Sequence, residues 1–228
     1  MITANALQRV FNVSYNGNSA SSFVLDIDDR QYLVTAAHLI GESTTGDIEL
    51  EILQNESWHK IPAKVVGNAP FGADIAVLAL PILLATRDLV LPVAEQFFVG
   101  QEVYFLGFPH GKHMQLGAMN NFWPTAFVKR GVISAINVGG KPSIVYLDGM
   151  NNPGFSGGPV VAVRPGTNCF EVISVVATYL AVPEKILRKG FPDEDLEIDI
   201  NTGIVETYGV MHARELARAN PIGYKMPR

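Results

Sequence analysis

An all-β fold, two packed β-barrels of the six-stranded type followed by a C-terminal helix, is what this sequence predicts. Turn formers are abundant, with 21 glycines and 14 prolines in 228 residues. Between them lie short runs rich in Val, Ile, Leu and Phe, the pattern of brief strands joined by tight turns. The stretch from Pro81 to Glu95, with prolines at 81 and 92, reads as a connection between two sets of such runs. With 48% hydrophobic and 17% charged residues, the chain can bury a sizeable core.

In chain order, strands are predicted at Ser22 to Asp26, Gln31 to Thr35, Ile48 to Leu53, Lys60 to Asn68 and Ile75 to Leu80. A second set follows at Glu102 to Phe108, Phe127 to Ile136, Ile144 to Leu147, Pro159 to Val163 and Glu171 to Thr178. Asp28-Asp29-Arg30 reads as a hairpin turn. Near the carboxyl end, Val210, Ala213 and Ala217 repeat at helical spacing, Leu216 widens the stripe and Asn220-Pro221 stops it. One helix over about 209 to 219 is expected to pack on the second barrel. The densest charge run, Asp193-Glu194-Asp195 with Glu197 and Asp199, is assigned to a solvated loop between the last strand and that helix. The whole chain, 1–228, reads as one domain: barrel 1 at about 5–85, barrel 2 at about 96–182, and a C-terminal loop and helix at 183–228.

A formal net charge of -5 argues against a nucleic-acid partner, which needs clustered Lys and Arg, and against an anionic membrane surface. The single cysteine, Cys169, can form no intrachain disulfide and allows a reducing compartment. The amino end lacks a basic start followed by an apolar stretch, so a cytoplasmic site is expected. The longest apolar run, Ile75 to Leu80 with Pro81 to Ala85 beyond it, is short of the roughly 20 residues that span a bilayer.

Three segments carry chemistry. Asn151-Asn152-Pro153-Gly154-Phe155-Ser156-Gly157-Gly158-Pro159 sets a serine among glycines that permit positive φ and close backbone approach, so the loop can aim its own N–H groups at a developing oxyanion. Tyr32-Leu33-Val34-Thr35-Ala36-Ala37-His38 is an apolar strand ending in two small residues and a histidine. Gly72-Ala73-Asp74-Ile75-Ala76-Val77-Leu78 places a carboxylate at the mouth of an apolar strand. Each alone has an ordinary reading as turn, packing or cap. Asp74 follows His38 by 36 residues and Ser156 follows Asp74 by 82, room enough for a histidine and aspartate on the first barrel and a serine on the second.

Taken in that order, TAAH, DIAVL and GFSGGP resemble the signatures of the trypsin/chymotrypsin-like serine peptidases. Asp148 with Asn152-Pro153-Gly154 before Ser156 is similar to the D-x-x-x-N-P-G-x-S-G-G-P of the Deg/HtrA-like branch, in a trypsin-like domain without PDZ. Leu106-Gly107-Phe108-Pro109 and Gly131 to Ile136 look like its second-barrel strands. The resemblance implies a chymotrypsin-like fold and peptide-bond hydrolysis through an acyl-enzyme. His38 would act as general base to Ser156, Asp74 would orient the imidazole, and the N–H groups of Gly154 and Ser156 would form the oxyanion hole, about 3–4 kcal/mol per donor. It implies no cofactor and no metal; His110 and His113 lack a carboxylate or Cys at matching spacing.

Departures narrow the expectation. Phe155 stands where zymogen-activated relatives carry an aspartate before the nucleophile, so that activation switch is not expected. With the chain ending at Arg228, no peptide-binding PDZ domain is expected after the helix. Aligning Val172 to Val176 with the family's substrate-pairing strand puts Ser174 beside Asp74, Val175 on that strand and Val176 on the pocket wall, with Met150 at the pocket base. Val176, whose branched side chain narrows the pocket, and Met150, where an acidic residue would select Arg or Lys, imply cleavage after small or medium apolar residues such as Val, Ala or Leu. Asp148 is assigned a hydrogen-bonding role in its loop. A polypeptide substrate is implied, with a homo-oligomer or an activating protein partner left open. So is an alternative in which the barrels are kept as an inactive or latent binding module.

Overall fold

Alternating burial closes the first part of the chain into a ring of strands. The computed structural model describes residues 2–41, 45–137, 139–188 and 190–227. After a helical turn, α1 (Ala4–Leu7), come β1 (Val10–Tyr15), β2 (Asn18–Ile27), β3 (Arg30–Thr35), α2 (Ala37–Ile40), β4 (Gly46–Gln54), β5 (Ser57–Asn68) and β6 (Ala76–Ala79). The strand order is β3-β2-β1-β4-β5-β6, and pairing of β6 with β3 brings the sheet back on itself. The two-residue turn Asp28-Asp29 joins β2 to β3 with both φ angles positive, 47° and 64°, the twist that a tight hairpin needs. The predicted strands of this half are all present. The sequence reading missed β1, although Val10, Phe11 and Val13 are buried.

The second barrel is built from β7 (Glu102–Gly107), β10 (Phe127–Asn137), β11 (Ile144–Asp148), β12 (Pro159–Val163), β13 (Phe170–Arg188) and β14 (Phe191–Gly209). A small pair, β8 (Met114–Gln115) with β9 (Pro124–Thr125), lies in the connection after β7. The barrel closes in the order β10-β11-β14-β13-β12-β7. Phe11, Leu33, Leu50 and Leu78 fill the first barrel. Phe105, Val145, Phe155 and Val176 fill the second. A third cluster, including Phe23, Tyr32, Phe108, Val161 and Val175, is shared between the barrels and holds them together.

Two expectations for the carboxyl-terminal part are corrected. The charge run at 193–199 is not in a loop: it lies in β14, which closes the second barrel, although the side chain of Glu194 falls outside the described part. The period-2 pattern Asp195-Leu196-Glu197-Ile198-Asp199-Ile200 is a strand signal that charge density concealed. The helix, α3 (Met211–Ala219), is where the spacing predicts it but packs on the first barrel. Val210, Ala213 and Ala217 join the cluster containing Tyr32 and Val66, and Tyr32 donates its hydroxyl hydrogen to the carbonyls of Ala217 and Asn220. The chain then adds β15 (Tyr224–Lys225) to the free end of β3.

Candidate active site

His38 occupies the single turn of α2 immediately after β3, and Asp74 the turn leading into β6. Because β3 and β6 are hydrogen-bonded neighbours, pairing Thr35 with Ala76, the two turns emerge side by side. Asp74 receives two bonds from His38: the backbone N–H reaches Oδ1 at 2.8 Å and the ring Nδ1 reaches Oδ2 at 2.6 Å. In the neutral ring this places the hydrogen on Nδ1 and leaves Nε2 with a free lone pair. The hydrogen bond to Asp74 raises the His38 pKa above its usual 6.5, with desolvation opposing and the carboxylate's charge adding to the rise.

Ser156 comes from the second barrel, on the loop between β11 and β12. Every carbonyl from Pro153 to Ser156 is held by a hydrogen bond. Pro153 O accepts from His110 N–H at 2.8 Å, Phe155 O from Gly158 N–H at 2.9 Å and Ser156 O from Ser21 N–H at 3.0 Å. Gly154 O accepts the Ser21 hydroxyl at 2.6 Å, and the same oxygen of Ser21 accepts Phe108 N–H at 2.9 Å. A trans peptide points its N–H opposite its C=O. Holding the Pro153 and Phe155 carbonyls therefore directs the N–H groups of Gly154 and Ser156 the other way, and among the described residues neither has a protein acceptor. Gly154 has φ +102°, and a Cβ there would stand 2.3 Å from Phe108 O. At Gly157 a Cβ would stand 2.3 Å from Ser21 O and 2.6 Å from Ala36 N, so only glycine lets the serine loop reach the strand end that carries His38.

Lys129 on β10 ties the same loop from below. Its Nζ donates to Met150 O at 2.5 Å and to Asn152 Oδ1, and lies 5.4 Å from the centre of the Phe155 ring. Desolvation holds its pKa below the ordinary lysine value. Phe155 itself is fully buried, edge-on to Phe105 at 5.2 Å, so the position before the serine serves the barrel interior.

These groups meet across a cleft of about 340 Å³ lined by Ser19, His38, Ser156, Ala177 and Tyr179, among others. The Ser156 hydroxyl donates to Ala177 O at 2.8 Å; no hydrogen bond joins it to His38. The structure thus brings His38, Asp74, Gly154 and Ser156 together. It does not bring the four predicted pocket residues to the cleft. Ser174 is fully buried, and its hydroxyl accepts that of Thr207 at 2.8 Å rather than facing Asp74. Val175 packs between the barrels and Val176 inside the second. Met150 is 53% exposed outside the cleft lining. In their place on β13, beside a register shift between Val176 and Thr178, Ala177, Thr178 and Tyr179 line the cleft with the serine. Asp148 ends β11 with its side chain exposed and, among the described residues, in no hydrogen bond. Sequence reasoning also missed Ser21 and Lys129, for which no motif gives a signal. His110 contributes its backbone, while the His113 ring lies 3.1 Å from Gly111 O.

Two β-barrels, with a His–Asp pair at the edge of one and a serine in a glycine-rich loop of the other, define a chymotrypsin-like protease fold. The family model of the trypsin-like peptidase domain matches residues 20–167, and the chain belongs to that family. No curated protein sequence matches the chain significantly. Among solved structures, the inactive form of the Rv3671c protease of M. tuberculosis superposes with a TM-score of 0.62 at 16% identity, covering 95% of this chain and 91% of that one. The HtrA-type protease AlgW with a tripeptide gives 0.60 at 19% identity, over 95% of this chain and 61% of that one. A serine endoprotease from Yersinia pestis gives 0.59 at 20% identity, over 96% and 68%. At these identities the likeness is one of fold.

Proposed function

We propose that the chain is a serine endopeptidase that cleaves polypeptides through His38, Asp74 and Ser156. The observation that carries this reading is the arrangement around one cleft of a His38 ring oriented by Asp74, the Ser156 hydroxyl, and two N–H groups left free on the serine loop. Nε2 of His38 takes the Ser156 proton as Oγ attacks the scissile carbonyl. The carbonyl oxygen, gaining negative charge, is received by the N–H groups of Gly154 and Ser156. The imidazolium, stabilised by Asp74, gives its proton to the leaving amine, and water then resolves the acyl-enzyme by the same path.

The described residues lining the cleft include Ala177, Thr178, Tyr179, Asn151 and Asn152, with no acidic side chain among them. With the Asp74 carboxylate engaged by His38 and none on the described lining, Arg or Lys finds no free ion-pair partner there, which favours cleavage after small or medium apolar residues. Labelling with a fluorophosphonate probe tests the nucleophile: the native chain is expected to label and Ser156→Ala is not. Equal labelling of both refutes the assignment.

A second reading is latency, favoured by the hydrogen bond from Ser156 to Ala177 O in place of one to His38. In that state the hydroxyl must turn about its Cα–Cβ bond before the base can reach it. Labelling that appears only after a peptide or protein partner is added selects this reading over constant activity.

A further inference from the structure

We propose that the projecting ribbon formed by the outer halves of β13 and β14 is a docking strand for the polypeptide substrate, extending the candidate cleft by strand addition. This deepens the endopeptidase reading and rests on it for the placement of the scissile bond.

The ribbon is poorly explained by the barrel. β13 is buried from Phe170 to Ala177 and exposed or half-buried from Thr178 to Arg188. β12 leaves its edge at Val175, and β11 leaves the edge of β14 at Ile204. Beyond those points, among the described residues, the two strands pair only with each other, and two strands without a third are marginal in water. The register sets Val182 opposite Ile200 and Glu184 opposite Ile198 on one face. On the other it sets Ala181 opposite Asn201, Pro183 opposite Asp199 and Lys185 opposite Glu197. Leu196 continues the first face by alternation. The result is a face of exposed apolar side chains interrupted only by Glu184 among the residues named, with Val182 41%, Leu196 44%, Ile198 54% and Ile200 39% exposed, backed by a charged one.

What belongs on this edge follows from its continuity with the cleft. Ala177, Thr178 and Tyr179 line the cleft with Ser156 and are the first residues of the free stretch of β13. The leaving half of a substrate must take its proton from His38 on the first barrel, so the acyl half is left to β13 on the second. Continued in extended form, that half runs onto the edge from Thr178 to Arg188, which at about 3.3 Å per residue offers roughly 35 Å of unpaired backbone. Side chains at alternate positions then meet the Val182, Ile198 and Ile200 face. Charge argues against a second copy of the chain as occupant. Between Tyr179 and Gly203 stand six acidic and three basic residues, so two ribbons repel while a neutral or basic segment does not. The substrate class is therefore an extended, non-acidic stretch of polypeptide with apolar side chains at every second position, as unfolded chains expose.

The test uses the full chain carrying Ser156→Ala and dye-labelled peptides, read by fluorescence anisotropy so that binding is decided without turnover. A ten-residue peptide with alternating Val and Thr on the acyl side is expected to bind at least tenfold more tightly than its four-residue core. Adding Ile198→Glu and Ile200→Glu should abolish that gain, and the same pair in the native chain should leave fluorophosphonate labelling unchanged. Equal affinity of long and short peptides overturns the proposal. So does a doubled mass in sedimentation at micromolar concentration that Ile198→Glu returns to the monomer, since a second copy then covers the face. Loss of labelling in the native chain counts against the endopeptidase reading alone, because the binding measurement is independent of it.

Discussion

Ser21→Ala removes one oxygen and disturbs both barrels. The Ser21 side chain is completely buried on β2, and its hydroxyl bridges Gly154 O at 2.6 Å and Phe108 N–H at 2.9 Å. Alanine fits the space, so no cavity of consequence forms, but two backbone groups lose their partner. An unsatisfied buried group costs about 1–3 kcal/mol, so a loss of roughly 2–4 kcal/mol is expected, which for a chain of this size lowers Tm by about 5–15 °C. The larger consequence is on rate. Released from Ser21, the Gly154–Phe155 peptide can turn, and it lies between the two peptides that carry the Gly154 and Ser156 N–H groups, so their shared alignment is lost although His110 still holds Pro153 O. Losing one oxyanion donor costs about 10²- to 10³-fold in kcat. The neighbouring Ser22→Ala is the control, because the Ser22 hydroxyl donates to Phe11 O at 2.9 Å within the first barrel and makes no hydrogen bond to the described serine loop. Urea denaturation and kcat on one short peptide, measured for both variants, decide the matter. Ser22→Ala should lose about 1 kcal/mol and keep its kcat. If Ser21→Ala destabilises equally and keeps its kcat as well, the bridge holds the barrels together without setting the loop.

Other expectations follow from the same geometry. Asp74→Asn removes the carboxylate that raises His38; since the base must be neutral, the acid limb of the pH–rate profile, expected above 6.5 in the native chain, should move down, with kcat reduced about 10⁴-fold. A limb that stays in place while kcat falls contradicts the role given to the carboxylate. Gly154→Ala forces a Cβ to within 2.3 Å of Phe108 O at φ +102°, and should cost about 1–3 kcal/mol in backbone strain together with most of the activity, measured by denaturation and peptide turnover. Phe155→Asp buries a carboxylate beside Phe105 and should leave the chain largely insoluble or molten by near-UV circular dichroism.

Much of the site was legible because its signals are local. A glycine loop around a serine, a histidine after an apolar strand and an aspartate before another need only neighbours in sequence to be recognised, and β3 pairing with β6 brings the last two together. The pocket residues were misplaced for a reason that sequence does not display. A single extra residue in β13 between Val176 and Thr178 shifts which side chains face the cleft, and such a shift depends on the strand's partners. Ser21 illustrates the same limit, since a serine in a strand acquires its role only when the second barrel's loop arrives against it.

By itself, the sequence determined the all-β class, most of the strands, the helix at the carboxyl end and the residues able to carry hydrolytic chemistry, because hydrophobic period and turn chemistry act over a few residues. Only the tertiary structure decided where α3 packs, which strand closes the second barrel, how the serine-loop carbonyls are held and which residues of β13 face the serine. Each of these depends on contacts between segments far apart in the chain. The charged stretch around Asp195 shows the difference: its alternation marks a strand, but that this strand leaves the barrel with an apolar face uncovered is settled only by where β11 and β12 stop pairing.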